Sequence, residues 1–599
     1  MNRKMANCLA VLTCLLAGVA AQAGQQQAAS STVTGAKLAK IAEEYWNHEL
    51  EESIFERQKL GLPIRNLPDI SQAHSQAEAA FAAHILAQLQ TLPANALTHD
   101  QTITVELLKW EAQNTVDGKK FYWLSPMVTP YSSPLSAVNQ VYTTYRFAAP
   151  EDMAHYLDLV KKYPPFVDAI RQFVEGQYQR GIILPRAEIA LVKPFLSSYI
   201  REPEKSLFYV ATARLKGIDS AAAAQFQSQL KQLIAGEVNA SLQRLVAYIG
   251  GDYEKKAPEA VGVWQYPDGK EYYRYRVRMQ TTQNLTPEQV HQIGLDNVAK
   301  LEKQMAAVQR ESGFKGTTEE FHHFLKTDPQ FFAKTPEEVG QRLMVYVNRV
   351  RPRVNEFFLN TPKAPYGVRR LDPALEGGQT FGYYQAPTAA EPTGYYNFNG
   401  SDLDHRPMVD TGAIILHELV PGHHFQINLQ MENKALPMFR RETYYAAYGE
   451  GWGQYSAYLG IEMGGYPGPY DLYGEMALDM FVSTRLVVDT GMNYMGWSRE
   501  RAMKYMLDHV LETETQVASE TLRYSADMPG QALAYKIGEL EILRLREKMK
   551  QALGSRFDVR QFHDCILGEG PMPLSVLDRH VDWCIEREER SPVKAGGAM

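Results

Sequence analysis

Residues 411–430, TGAIILHELVPGHHFQINLQ, set His417, Glu418, His423 and His424 within eight positions of an apolar, helix-like run that Pro421-Gly422 interrupts. Proline lacks the amide that would bond back to the His417 carbonyl, so a helix through this segment must distort. Glycine at 422 tolerates unusual backbone angles. The plain alternative is a buried amphipathic helix with incidental histidines. Against it stand three His in eight positions, where the whole 599-residue chain has 15.

A His-Glu pair followed by a second His is how zinc metallopeptidases place two imidazole ligands and a general base on one helix. In H-E-x-x-H the second His lies four residues on, about 40° round the helix, and here Pro421 occupies that position. The second nitrogen must therefore come from His423 or His424. On an ideal helix His424, seven residues on, returns to the face of His417, whereas His423 reaches it only through a bulge.

HELVPGHHFQ resembles the HExxPGHxxQ signature of the bacterial domain-of-unknown-function 885 family, whose pattern is similar to that of gluzincin metallopeptidases. YGEGWGQY (448–455), LVVDTGMNYMGWS (486–498), RYSADMPGQALAYKIGELEILRLRE (523–547) and FHDCILGEGPMPLSVLD (562–578) extend the resemblance over most of the C-terminal third. It implies His423 as the second His, because the His after Pro-Gly is the recurrent one. It implies Glu450 as third ligand on a later helix, with Glu442, Glu462 and Glu475 as competing carboxylates. Glycines at 449, 451 and 453 leave little bulk beside Glu450, so another helix can approach closely.

On this reading one Zn2+ per chain is held by His417, His423 and Glu450, with an open position for water. Glu418 is the general base. Tyr524 and Tyr535 are the candidate oxyanion donors and Arg523 the candidate carboxylate-binding residue. His563 ranks lower. The chain departs from the family's DTGxH pattern, because Asn493 stands where a His is expected. Asn donates a hydrogen bond but does not titrate, so if that His acts in the reaction, reduced or retuned activity is expected, with zinc binding unaffected unless the missing His is a ligand.

The first residues carry Arg3 and Lys4, an apolar stretch, and Ala21-Gln22-Ala23 before Gly24. These predict a secretory signal peptide over 1–23, cut after Ala23, and a periplasmic or secreted chain. The apolar run is too short for a stable membrane span, and no second long one follows, so integral membrane insertion is not expected. Neither Cys8 nor Cys14 has the surroundings of a lipoprotein signal. Removing the leader leaves two of the four cysteines, Cys565 and Cys584, flanking the turn GEGPMP. In an oxidising compartment the pair is a disulfide candidate closing a helical hairpin. A formal charge of −7, with no basic run, zinc-finger spacing or Gly-rich phosphate loop, argues against a nucleic-acid partner. The 34 tyrosines include the pairs 383–384, 395–396 and 444–445, which suits a cleft gripping a polar chain such as a short peptide.

The expected fold is mainly α, a two-lobed helical metallopeptidase-like fold with a small β element lining a central cleft; the metallopeptidase-like part is what the resemblance implies. A tether at 24–33 precedes an N-terminal helical lobe at 34–270 and a catalytic lobe at 271–599. Leu38, Ile41, Tyr45, Trp46 and Leu50 have helical spacing within 36–60. Thr286-Pro287 and Thr335-Pro336 signal helix starts. Extended structure is expected at 270–280 and 379–400. His322-His323 reads as a solvated helix face, and Asp402, Asp404 and His405 as a polar turn. Two other functions compete: a catalytically impaired peptide-binding protein, and a zinc amidohydrolase acting on a non-peptide or cell-wall amide. Retention of Glu418 argues against the first of these.

Overall fold

The computed structural model describes residues 32–376, 382–388 and 391–590, so the expected leader lies outside the described residues. Among these the protein is mainly helical, with one small three-stranded mixed sheet. The chain is already helical at residue 32 and stays so to 52. Ser53 then caps a new helix, Ile54–Lys59, by accepting the Glu56 amide at 3.1 Å, so the 36–60 segment is two helices.

Buried apolar side chains fall into three clusters. One is drawn wholly from residues 54–257 and includes Leu135, Val167 and Leu230. Another spans 261–532, including Val298, Met480 and Val488. The largest joins the early helices, through Leu38, Ile85 and Leu108, to Leu416, Trp452 and Ile542 near the signature. Early helices that carry Leu38, Ile85 and Leu108 thus pack against the C-terminal third.

The segment expected to be extended at 270–280 is instead a helix, α1 (Gly269–Thr281). Its buried positions, Tyr272, Tyr273, Val277 and Thr281, follow a helical period, and the aromatic-arginine alternation that suggested a strand comes from residues spread round the helix. Thr286 caps α2 (Pro287–Glu311) with a full capping box, and Thr335 caps the helix Pro336–Val350. In the 379–400 segment lie β2 (Tyr383–Gln385) and β3 (Gly394–Phe398). β3 is central, pairing in parallel with β1 (Tyr366–Arg370) and antiparallel with β2. β2 is therefore an edge strand.

Six helices complete the frame of the site: α3 (Thr411–Glu418), α4 (His423–Glu432), α5 (Ala446–Glu462), α6 (Pro469–Asn493), α7 (Leu533–Leu553) and α8 (Val559–Gly568). α5 and α7 touch backbone to backbone, for a Cβ on Gly451 would lie 2.5 Å from the Gly538 backbone. α8 folds back against α9 (Leu574–Arg590), and Cys565 and Cys584 are joined by a disulfide with an S–S distance of 2.06 Å. Among the described residues, no helix is long and apolar enough to cross a membrane.

Candidate metal centre

α3 stops at Glu418, the chain turns through 419–422, and a separate helix begins at His423. Gly422 lies so close to the His417 carbonyl that any Cβ there would overlap it. The Trp452 indole on α5 donates to the Pro421 carbonyl at 2.9 Å and pins the turn. Restarting the helix sends the adjacent histidines to different partners. His424 faces the sheet, where Nε2 donates to the Ala364 carbonyl at 3.1 Å and Nδ1 accepts the Tyr384 hydroxyl at 2.9 Å. His423 turns toward His417.

The Nε2 atoms of His417 and His423 are each 3.5 Å from Glu450 Oε2. One ligand atom from each of the three residues lies within 4.8 Å of the others. His417 Nδ1 meets the Gln454 side-chain oxygen at 2.9 Å. That oxygen only accepts, so Nδ1 carries the proton and Nε2 presents its lone pair. A nitrogen lone pair aimed at a carboxylate oxygen calls for a cation between them. Two imidazole nitrogens and one carboxylate oxygen are the donor set of a catalytic zinc site, and the residues fit a divalent cation. A Cβ on Gly453 would come within 2.6 Å of the His417 ring, so the bare glycine seats the ligand.

Electrostatics agree with that fit. Burial opposes ionisation of Glu450, but positive charge on the two imidazoles outweighs it and holds the carboxyl well below the usual range, as a cation held between these groups would. Burial also disfavours charge on His423, and Glu450 outweighs it in turn, raising the imidazole. Glu418 is pushed up by burial, with His423 and His417 opposing, and its carboxylate accepts the backbone N–H of Tyr384 on the edge strand. Positive charge is thus stabilised at the centre of the cluster.

The other candidates lie at various removes. Tyr535 on α7 lies nearly parallel to the His417 ring, with centroids 6.2 Å apart and planes at 21°. Tyr524 is fully buried; its hydroxyl accepts Arg485 Nε at 2.7 Å and donates to Glu520, leaving nothing to offer a substrate. Arg523 donates to the Gln531 side-chain oxygen at 2.5 Å, sits 3.4 Å from Glu520, and lies 5.7 Å from the ring centre of the half-exposed Tyr131. Arg485 and Arg523 share Glu520, and both arginines stand near Tyr535 together with Glu450.

Asn493 is held in the core, away from the imidazoles. It accepts the Val263 amide at 3.1 Å and donates to Asp489 and the Tyr524 carbonyl, both at 2.9 Å. Asp489, which burial pushes up to about 7, also accepts the Tyr273 hydroxyl at 2.7 Å and the Gly530 amide at 3.0 Å. Position 493 therefore clamps the end of α6 to Val263 and to the Tyr524 carbonyl, while Asp489 ties the same helix to Gly530. His563 is likewise internal, bridging the Tyr455 hydroxyl and the Phe357 carbonyl, each at 2.8 Å. Glu442 pairs with Lys59, Glu462 with Arg546, and Glu475 is buried near Lys536, so none of them joins the imidazoles. His322 is not solvated as expected: it packs on the Tyr473 hydroxyl at 2.7 Å, while His323 is exposed. Asp402 and His405 form the expected turn, joined at 2.7 Å.

Two residues escaped the sequence reading. Gln454 stands one helical turn beyond Glu450, a spacing that could have marked it. Tyr444 donates to Glu450 Oε1 at 2.9 Å, and its only signal was membership of a tyrosine pair.

Fold and site together define a mainly helical protein with a buried His-His-Glu group able to hold a metal ion. The family described as "Bacterial protein of unknown function (DUF885)" matches residues 56–581, and the chain belongs to it. Among solved structures it is similar to a "putative lipoprotein" of Colwellia psychrerythraea, with 25% identity, a TM-score of 0.82, and coverage of 94% of this chain and 99% of that one. It also shares its fold with a protein of Shewanella oneidensis, described in the same words and as of unknown function, at 17% identity and a TM-score of 0.70, covering 90% of this chain and 99% of that one. No curated protein matches the chain.

Proposed function

We propose that the protein is an exported zinc metallopeptidase hydrolysing short peptides, with Glu418 as general base. The observation that carries this is the convergence of His417, His423 and Glu450 beside a partly accessible Glu418. A zinc ion held there would polarise a carbonyl and lower the pKa of water to about 7. Glu418 takes the proton of the attacking water and returns it to the leaving nitrogen. The Tyr384 amide fixes the carboxylate for that transfer. Tyr535, beside His417, donates to the carbonyl oxygen as charge gathers on it. Arg523, which shares Glu520 with Arg485, binds the substrate's terminal carboxylate.

The substrate lies in a cleft between lobes at 34–270 and 271–599, where Tyr131 of the first meets Arg523 of the second. The Cys565–Cys584 bridge and the lipoprotein descriptions of the similar structures support export. The test is zinc analysis of purified protein together with mass-spectrometric cleavage of a mixed peptide library. One zinc per chain and cleavage of short peptides are expected. Zinc with no peptide cleaved would favour a non-peptide amidohydrolase, and absence of zinc would end the reading.

A further inference from the structure

Glu450 does not present both carboxylate oxygens alike. Oε2 faces the two imidazoles at 3.5 Å, whereas Oε1 accepts the Tyr444 hydroxyl at 2.9 Å. Tyr444 precedes α5, and Gly449 on that helix is needed for its ring, because a Cβ there would overlap the aromatic carbons. The ring is 48% exposed, unlike the buried Tyr445 next to it. Glu418 and Tyr535 also act on the hydroxyl electrostatically, so it stands near the proposed base and the proposed donor.

An unrestrained carboxylate can give a cation one oxygen or two, and the second oxygen fills a position that a catalytic site keeps open. A hydrogen bond to the outer oxygen removes that choice, as partners behind metal ligands commonly do. Gln454 does the equivalent for His417 by fixing its tautomer. We propose that Tyr444 is a positioning residue that restricts Glu450 to one ligating oxygen and keeps a coordination position open. The proposal rests on reading His417, His423 and Glu450 as a metal centre.

The test compares wild type with Tyr444→Phe, which keeps the ring at this half-exposed place and removes only the hydroxyl. Zinc content, competition with a chelator, the visible spectrum of the Co2+-substituted protein and peptide hydrolysis are measured on both. The variant should retain zinc with unchanged or tighter affinity. Its Co2+ bands should weaken, because five-coordinate Co2+ absorbs less than four-coordinate. kcat should fall at least about tenfold with KM within about twofold. A variant with wild-type spectrum and kcat overturns the proposal. So does a raised KM at unchanged kcat, which would make Tyr444 a substrate contact. Failure of the metal-centre reading is distinct, for wild type itself would then bind neither zinc nor cobalt.

Discussion

His423 and His424 are neighbours in the chain and meet different partners, one Glu450 and the other Tyr384. His423→Ala is therefore expected to lose most of its zinc in metal analysis, and His424→Ala to keep it. The reverse result would put His424 in the ligand set. Glu418 lies beside the ligands without belonging to the cluster. Glu418→Gln should bind zinc normally and turn over at least about a hundredfold more slowly, since the amide keeps the shape but cannot take the proton. Unchanged turnover in a steady-state assay would place the base elsewhere.

The helices meet through what their sequences leave out. α5 carries Glu450 and, on its glycine faces, receives α7 at Gly451 and the His417 ring at Gly453. Four glycines, at 449, 451, 453 and 460, make α5 a poor helix former on its own, so packing must supply its stability. The α8–α9 hairpin is secured covalently by Cys565–Cys584, across a sequence separation of 19. In the chain-entropy model a loop of this length stabilises the fold by about 3 kcal/mol. Replacing both cysteines with Ser should lower the denaturation midpoint accordingly. Intact-mass analysis of alkylated, unreduced protein should find neither thiol modified, and two modified thiols would refute the bridge.

Taken together, the three cores bring a loop near residue 131 against the segment at 523–527: the Thr129 hydroxyl and the Tyr131 amide bond to Asp527 at 2.6 and 2.7 Å. That contact sets the Arg523 guanidinium at an edge shared by early and late parts of the chain. One peptide offered as free acid and as C-terminal amide should be cleaved faster as the acid by wild type. Arg523→Ala should abolish the difference. Equal cleavage of both forms by wild type would remove Arg523 from substrate recognition and favour an endopeptidase.

The amino-acid sequence alone determined the donor types, the break at Pro421-Gly422, the capped helix starts, the mainly helical build and the cysteine pair. Each depends on residue identity and near neighbours, which a linear reading contains. Tertiary structure decided which histidine turns inward, because side-chain direction depends on how the backbone leaves the turn that Gly422 and Trp452 fix. It decided that Asn493 is a clamp and that the hydroxyl of Tyr524 is already taken, since partners are set by packing: Val263 reaches Asn493 from 230 residues away, and Arg485 reaches Tyr524 from another helix. It made a helix of 269–281 by burying residues at a helical period where the aromatic run suggested a strand. Gln454 and Tyr444 became visible for the same reason: a residue behind a ligand is defined by a distance in space, and no residue type announces it.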